Sequence, residues 1–410
     1  MSTVLAYTSP AIGHLFPMTP LLLELRSRGH EVHLRTLSSR VATMRSLGLH
    51  AEPIDPAIEA VPMDDWRARG AVGALKSSVA TFVARAAHDA PDLLSAVDAV
   101  APDLLLVDIN AWGASVAAEA WGGPWARFSP YTPALSSPGT PPYGPGLRPL
   151  GGLAGRLRDG IARPVFLGAA ERAVRPRLNQ LRADHDLAPV RGADEFFRSA
   201  PLMLVATAEP LEYPHPDWAP GVQMIGALAW EPAAEAPDWL TDVDGDLVLV
   251  ATSSEYQRDE ALVRAAVTGL ADGPWTVVAT MPAGLTDLGP LPGNVRVHEF
   301  VPHGILLERA AVAVTHGGMG VTQKALAHGV PVCVVPFGRD QLEVAARVVH
   351  AGAGARVRSA RLTGSTLRTG VEQALGCRAG AARVAAGFDA AGGAARGAEL
   401  LESLLPSTVT

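Results

Sequence analysis

A histidine and a run of glycines at the end of an apolar stretch form the strongest chemical signal in this sequence. Ala310 to Val314 leads into Thr315-His316, then Gly317, Gly318 and Gly320, and Thr322 to His328 can continue as a helix. Glycines let a main chain approach a ligand closely, and the free N–H groups and dipole of a helix start attract a diphosphate. The segment is suited to an anion, although a glycine-rich turn between strand and helix can also be purely structural. Gly329-Val330-Pro331 stops the helix, a new apolar run follows, and Asp340-Gln341 stand just past its end, where ligands bind in open α/β sheets. A second histidine, His14, lies in the segment Pro10 to Pro17 that follows the first apolar run; a lone histidine is ordinarily a satisfied polar residue, and its meaning depends on what faces it. No metal site is expected. His298, His328 and His350 lack metal-ligand spacing, and Cys333 and Cys377, the only cysteines, allow neither a zinc cluster nor a disulfide framework.

These residues need elements to position them. Short apolar runs bounded by turn residues recur at Val4 to Tyr7, Val32 to Leu34, Leu104 to Val107, Leu247 to Ala251, Val277 to Ala279, Val312 to Val314 and Val332 to Val335. Each is strand-length and few alternate with polar residues, so both faces are covered, as in a parallel sheet flanked by helices. Between the first two runs, Met18 to Ser27 places Leu21, Leu22 and Leu25 at helical spacing, with Gly29 as a stop, and the chain opens as a βαβ unit. A second βαβ series starts at Asp246, after a segment crowded with Pro, Trp and Gly. Ser129 to Gly152 is richer still in Pro and Gly and reads as a long loop of the kind that carries function. Ala379 to Leu405 has apolar residues at helical intervals, interrupted by glycines.

With 410 residues, 48% of them apolar and 18% charged, the chain has ample core and is too long for one ordinary domain. Its 34 basic and 41 acidic residues leave a formal charge of −7, which does not favour a nucleic-acid partner. No basic n-region with an apolar run opens the chain, and no stretch approaches a membrane span, so a reduced, cytoplasmic protein is expected.

The string from Val314 to Val348 resembles the donor signature of GT-B glycosyltransferases that use nucleotide sugars, in particular those of actinobacterial antibiotic biosynthesis acting on polyketide or enediyne aglycones. The resemblance extends to Phe300-Val301-Pro302-His303, similar to the family's base-binding element, and to Pro10-Ala-Ile-Gly13-His14-Leu-Phe-Pro17, similar to its PxxGHxxP motif. It implies that His316 and the turn of Gly317, Gly318, Gly320 and Thr322 hold the donor diphosphate. Asp340 and Gln341 would bind sugar hydroxyls; Phe300, Val301 and His303 would meet the base. Thr252 and Ser253, after the first strand of the second series, would add donors to the phosphates, with a plain turn role as the alternative. It also implies that His14 is a general base, since a hydroxyl acceptor needs a group titrating near neutrality. Asp108, after the run Leu104 to Val107, would orient it, unless it caps the next helix instead. Ile12, Trp112, Phe128 and Tyr143 are expected on the acceptor side. Two departures stand out: Lys324 where many relatives carry a ribose-binding Glu, and Val344 where many carry Asn.

The implied fold is α/β of the GT-B type, two Rossmann-like domains facing each other across a cleft. Residues 1–213 would bind the acceptor and 246–388 the donor, with a linker at 214–245 and a C-terminal helix and tail at 389–410 that can cross back to the first domain. The implied activity is metal-independent, inverting transfer of a deoxysugar from a nucleotide donor, dTDP favoured over UDP because Lys324 replaces the ribose-binding Glu, to a hydroxyl of a lipophilic natural product. No cofactor beyond that co-substrate is expected, nor nucleic acid or integral membrane association, and a homodimer is left open. A nucleotide-sugar epimerase on the same scaffold, or a non-catalytic sugar-nucleotide binder that assists another transferase, remain the alternatives.

Overall fold

The computed structural model describes residues 1–406 apart from Arg69, Asp242 and Asp244. Small parts of the expected linker and the last residues of the expected tail thus lie outside the described residues. Two parallel sheets organise the chain. The first consists of β1 (Thr3–Tyr7), β2 (Glu31–Thr36), β3 (His50–Pro53), β4 (Leu104–Asp108), β5 (Trp125–Ser129), β6 (Leu202–Val205) and β7 (Val222–Met224), in the order β3-β2-β1-β4-β5-β6-β7. The second contains β8 (Leu247–Ala251), β9 (Thr276–Thr280), β10 (Val295–His298), β11 (Ala310–Thr315), β12 (Val332–Val334) and β13 (Gly354–Arg356), in the order β10-β9-β8-β11-β12-β13.

Sequence pattern follows position in the sheet. The central strands β4, β5 and β8 are buried at every residue, and the apolar runs of β4 and β8 read as strands covered by helices on both faces. Nearer the edge, β2 alternates, burying Val32, Leu34 and Thr36 while Glu31, His33 and Arg35 are only partly covered. In each sheet the strand order reverses direction once, between β1 and β4 and between β8 and β11. Loops leaving the C-terminal ends of adjacent strands diverge there and open a crevice, the usual ligand position in such sheets.

Three elements differ from the sequence expectation. The first helix spans Ile12–Ser27 rather than starting at Met18, with Pro17 and Pro20 inside it. Proline costs a helical hydrogen bond and crowds the preceding turn, but Leu15, Met18, Leu21, Leu22 and Leu25 are buried against the sheet, and that burial outweighs the local penalty. Second, β7 lies within the segment expected to be a linker and completes the first sheet by pairing with β6; three residues between Pro-rich flanks show no readable period. Third, the Ala-rich end forms two helices, Arg378–Ala390 and Gly393–Glu402, separated where Gly392 and Gly393 adopt φ of +87° and +58°.

The Gly393–Glu402 helix packs on the first domain, placing Ala398 and Leu401 in the same core as Leu21, Leu204 and Ile225. Glu402 accepts from Arg28 at 3.0 Å and lies 3.0 Å from His30 Nε2. Because Leu401 is fully buried, Leu401→Ala should destabilise the protein by about 2–5 kcal/mol, read as a lowered urea midpoint. A loss below about 0.5 kcal/mol, the level of an ordinary surface change, would show that the helix is not part of this core.

Candidate active site

The first crevice holds an imidazole on a buried carboxylate. His14 is the third residue of its helix, and Asp108 ends β4, the neighbour of β1. Nδ1 of His14 lies 2.7 Å from Oδ2 of Asp108, whose side chain is fully buried. The other oxygen, Oδ1, accepts the backbone N–H of Asn110 at 2.8 Å. Of the two roles weighed for Asp108, it contacts the imidazole but does not cap the next helix: the helix Trp112–Trp121 starts from Ala111 without a side-chain cap, and Oδ1 closes the turn before it instead.

Asn110 also fixes the far side of the ring. The Tyr131 hydroxyl donates to Asn110 Oδ1 at 2.7 Å, which turns the amide nitrogen toward His14 Nε2, 3.2 Å away. An amide N–H can only donate and a carboxylate can only accept, so Nδ1 carries the proton and Nε2 the lone pair. Tyr131 stands edge-on to the same ring at 5.7 Å. Burial pushes the His14 pKa down, but the charge and hydrogen bond of Asp108, with Glu255 and Asp340 adding to them, outweigh it and hold the group above its ordinary value.

In the second crevice the main chain does the work. Gly318 caps the helix Met319–Ala327, whose first-turn N–H groups have no partner within the helix. His316 is buried, with Nδ1 3.3 Å from the Ala251 carbonyl, and burial lowers its pKa. A carbonyl only accepts, so here too the proton sits on Nδ1, and Nε2 points at Gly318.

The remaining donor candidates are joined in chains. Ser253 Oγ accepts from Gln257 Nε2 at 2.5 Å, and Gln257 Oε1 accepts from Gln341 Nε2 at 2.7 Å. Gln341 Oε1 in turn accepts the N–H groups of Phe337 and Gly338, at 2.7 and 2.9 Å, which shapes the loop that presents Asp340. Burial raises the Asp340 pKa, and His14 is close enough to oppose that rise. Thr252 Oγ1 donates to the Thr280 carbonyl at 3.1 Å, and Thr280 Oγ1 lies 2.9 Å from His303 Nε2. Burial, with help from Lys324, depresses His303 to about 4, so it is neutral at physiological pH.

Several expected contacts are placed elsewhere. Phe128 and Trp112, expected on the acceptor side, are core residues, Phe128 fully buried in its strand and Trp112 packed among Phe82, Phe196 and Phe197. Val301 packs into the second domain's core, whereas the ring of Phe300 is exposed. The Thr322 hydroxyl is buried 3.2 Å from that of Thr315, which also accepts the N–H of Gly317, so Thr322 braces the turn from behind rather than facing its front. Ile12 and Tyr143 remain partly exposed. Lys324 forms a 2.6 Å ion pair with Glu231 of the linker, and the Lys324 charge, against the effect of burial, holds the Glu231 pKa low.

Sequence reasoning missed Asn110, Tyr131 and Arg339. Arg339, at φ +52°, grips Asp65 of the first domain through two 2.9 Å hydrogen bonds and Glu255 of the second at 2.7 Å. Asp108-Ile109-Asn110 has the form of an Asx-turn, but that signal does not say where the Asn110 amide points. Among the described residues no group of three or more His, Cys, Asp or Glu side chains could hold a metal, and no helix is long and apolar enough to cross a membrane.

Known proteins share sequence and fold with this chain. Residues 266–396 match the family model of the erythromycin biosynthesis protein CIII-like C-terminal domain. The chain is 34% identical over 386 residues to 4'-demethylrebeccamycin synthase of Lentzea aerocolonigenes, covering 91% of each protein. The kitacinnamycin glycotransferase structure superposes with a TM-score of 0.77 at 27% identity, over 99% of both chains. Glycosyltransferase VinC, solved in complex with dTDP, shares the fold at a TM-score of 0.73 and 22% identity, over 98% of this chain and 99% of that one.

A Cβ added at Gly318 would overlap the His316 ring. Gly318→Ala should therefore tilt that ring and weaken diphosphate binding by about tenfold or more. Calorimetry with dTDP and with UDP checks this, and unchanged affinity for both would remove the turn from the ligand site.

Proposed function

The chain belongs to the family of erythromycin CIII-like antibiotic glycosyltransferases, and from that premise we propose that it moves a deoxysugar from dTDP to a hydroxyl of a lipophilic natural product, with inversion at the anomeric carbon. The observation that carries the reading is the His14–Asp108 pair at the first strand-order reversal, with the lone pair of Nε2 directed away from the carboxylate. An epimerase or a passive binder has no need of a base poised for an acceptor hydroxyl.

In this mechanism the acceptor hydroxyl displaces the Asn110 amide from Nε2 and gives its proton to it. The resulting imidazolium is stabilised by its hydrogen bond to Asp108. The acceptor oxygen forms a bond to the anomeric carbon from the face opposite the diphosphate, while the bond to the diphosphate oxygen breaks and its electron pair leaves with the nucleotide. First-turn N–H groups of the Met319–Ala327 helix take up the developing charge. His316 adds to them, because an anion beside Nε2 favours the protonation that burial suppresses. Such donors fill the part that a divalent cation plays in other transferases, so activity should survive a chelator. Asp340 would hold sugar hydroxyls, and Gln341 would set the loop that presents it. A cytoplasmic location belongs to the same reading.

The preference for dTDP rests on Lys324. Its pairing with Glu231 leaves no free carboxylate on that helix face to accept from both ribose hydroxyls. A uridine donor has both hydroxyls to offer and thymidine lacks the 2′-OH, so the missing acceptor costs UDP more.

Transfer itself is tested by a panel of aglycones with dTDP- and UDP-sugars, read by mass spectrometry; absence of any glycosylated product would sink the reading. His14→Ala should lower turnover by roughly 10²- to 10⁴-fold with little change in donor affinity. The base must be neutral to act, and its pKa is raised, so kcat/KM should fall with acid from a midpoint above the ordinary histidine value near 6.5. Asp108→Asn removes the raising charge and should move that limb to lower pH while kcat drops; a limb that stays put would deny His14 the role of base.

Competition should show dTDP binding tighter than UDP by about three- to tenfold, the size of one neutral hydrogen bond. Tighter UDP binding would refute the preference. Lys324→Glu alone would set two carboxylates side by side, so the informative variant exchanges the pair, Lys324→Glu with Glu231→Lys, and should narrow the gap in favour of UDP.

A further inference from the structure

The loop between β5 and the helix Gly152–Ala183 has no regular structure, yet it is held against the other domain at a buried cluster of charges. Glu343, in the first turn of the helix Gln341–His350, accepts the N–H groups of Gly144 and Gly146 on one oxygen, at 2.8 and 2.7 Å. Its other oxygen accepts from Arg347 at 2.7 Å. Arg347 donates from Nε to both oxygens of Glu212 at 2.9 Å, and its guanidinium lies over the Tyr213 ring at 4.4 Å. Glu212 also accepts from the hydroxyl of Thr132, which belongs to the same loop. Glu343, Arg347 and Glu212 are each at most 4% exposed. Burial would raise the Glu212 pKa, but Arg347 and the donors around it hold it down to about 2, so the carboxylate is charged under all working conditions.

The contact needs glycine. Gly146 has a φ of +63°, and a Cβ there would overlap the Leu342 carbonyl. Two backbone donors, a loop hydroxyl and a close approach that only glycine allows all specify one seat for this loop on one helix. That helix begins beside Asp340, and the loop begins with Tyr131 against the ring of His14.

We infer that Glu343 is a positioning residue that clamps the loop 130–147 as the roof of the acceptor site and ties the roof to the sugar-binding end of the same helix. This rests on the reading of the cleft as a glycosyltransferase centre. A clamped roof sets where an acceptor hydroxyl stands relative to His14 and the donor sugar, whereas the nucleotide is held by the separate turn at 316–320. Loss of the clamp should therefore act on the acceptor and spare the nucleotide.

Two variants release the loop by different routes. Glu343→Ala removes the acceptor of both glycine N–H groups and leaves Arg347 paired with Glu212. Gly146→Ala lifts the loop by steric overlap and leaves every buried charge in place, so it carries the test alone if the first variant misfolds. In both, amide hydrogen exchange over 140–147 should accelerate while exchange over 310–327 stays as in the native protein. The KM for the aglycone found in the panel screen should rise by about tenfold or more, and dTDP affinity by calorimetry should change less than about twofold. Exchange over 140–147 that stays slow would overturn the clamp. An unchanged aglycone KM with the loop released, or dTDP affinity lost in step with it, would overturn the roof. If the native protein glycosylates nothing, the glycosyltransferase reading fails, and the exchange measurement still decides whether Glu343 holds the loop.

Discussion

A carboxylate that water does not reach must find its donors within the protein, and Asp108 finds them in the imidazole of His14 and the N–H of Asn110. Removing either would leave a buried charge short of a partner, the costly case for an ion inside a fold. Much of the first domain's geometry is bound to that requirement. The β1–β4 neighbourhood brings the two residues together, the early start of the Ile12–Ser27 helix lifts His14 to the end of the sheet, and the Tyr131 hydroxyl turns Asn110 so that its amide meets the second ring nitrogen.

The second domain repeats the topology with opposite electrostatics. At its own reversal of strand order no carboxylate among the described residues lies at hydrogen-bond distance from His316. His316 rests on a carbonyl, is depressed by burial, and stands beside a glycine turn and a helix start. In the proposed mechanism one crevice collects a proton and the other an anion, and a displacement that deprotonates a nucleophile and expels a diphosphate needs both, on opposite sides of the reacting carbon.

The alternation of strands and helices was legible because fully buried parallel strands read as unbroken apolar runs; Asp108 and His316 stood out because each follows such a run directly, and His14 because it sits in the turn-and-helix motif after the first one. What stayed hidden was direction. Phe128 and Trp112 lie near the right strand ends, but nothing local says that their rings turn into the core, and Thr322 has the right type and place while facing backwards. The pairs that cross the molecule were also silent: Arg339 with Asp65 is separated by 274 positions and Lys324 with Glu231 by 93. Residues so distant leave no period or spacing in the sequence, and only the assembled fold brings them within reach. The Ile12–Ser27 helix shows the converse limit, since Pro17 and Pro20 are sound local signals of a break that burial on the sheet overrides.

The return of the Gly393–Glu402 helix to the first domain also bears on the order in which the protein can be made. Domains generally form as units while the chain leaves the ribosome, N-terminal part first. Here the core around Leu21, Leu204 and Ile225 is closed by Ala398 and Leu401. During synthesis that apolar surface of the first domain therefore stays uncovered until the second domain has been made, and a chain cut before Gly393 would leave it open to water.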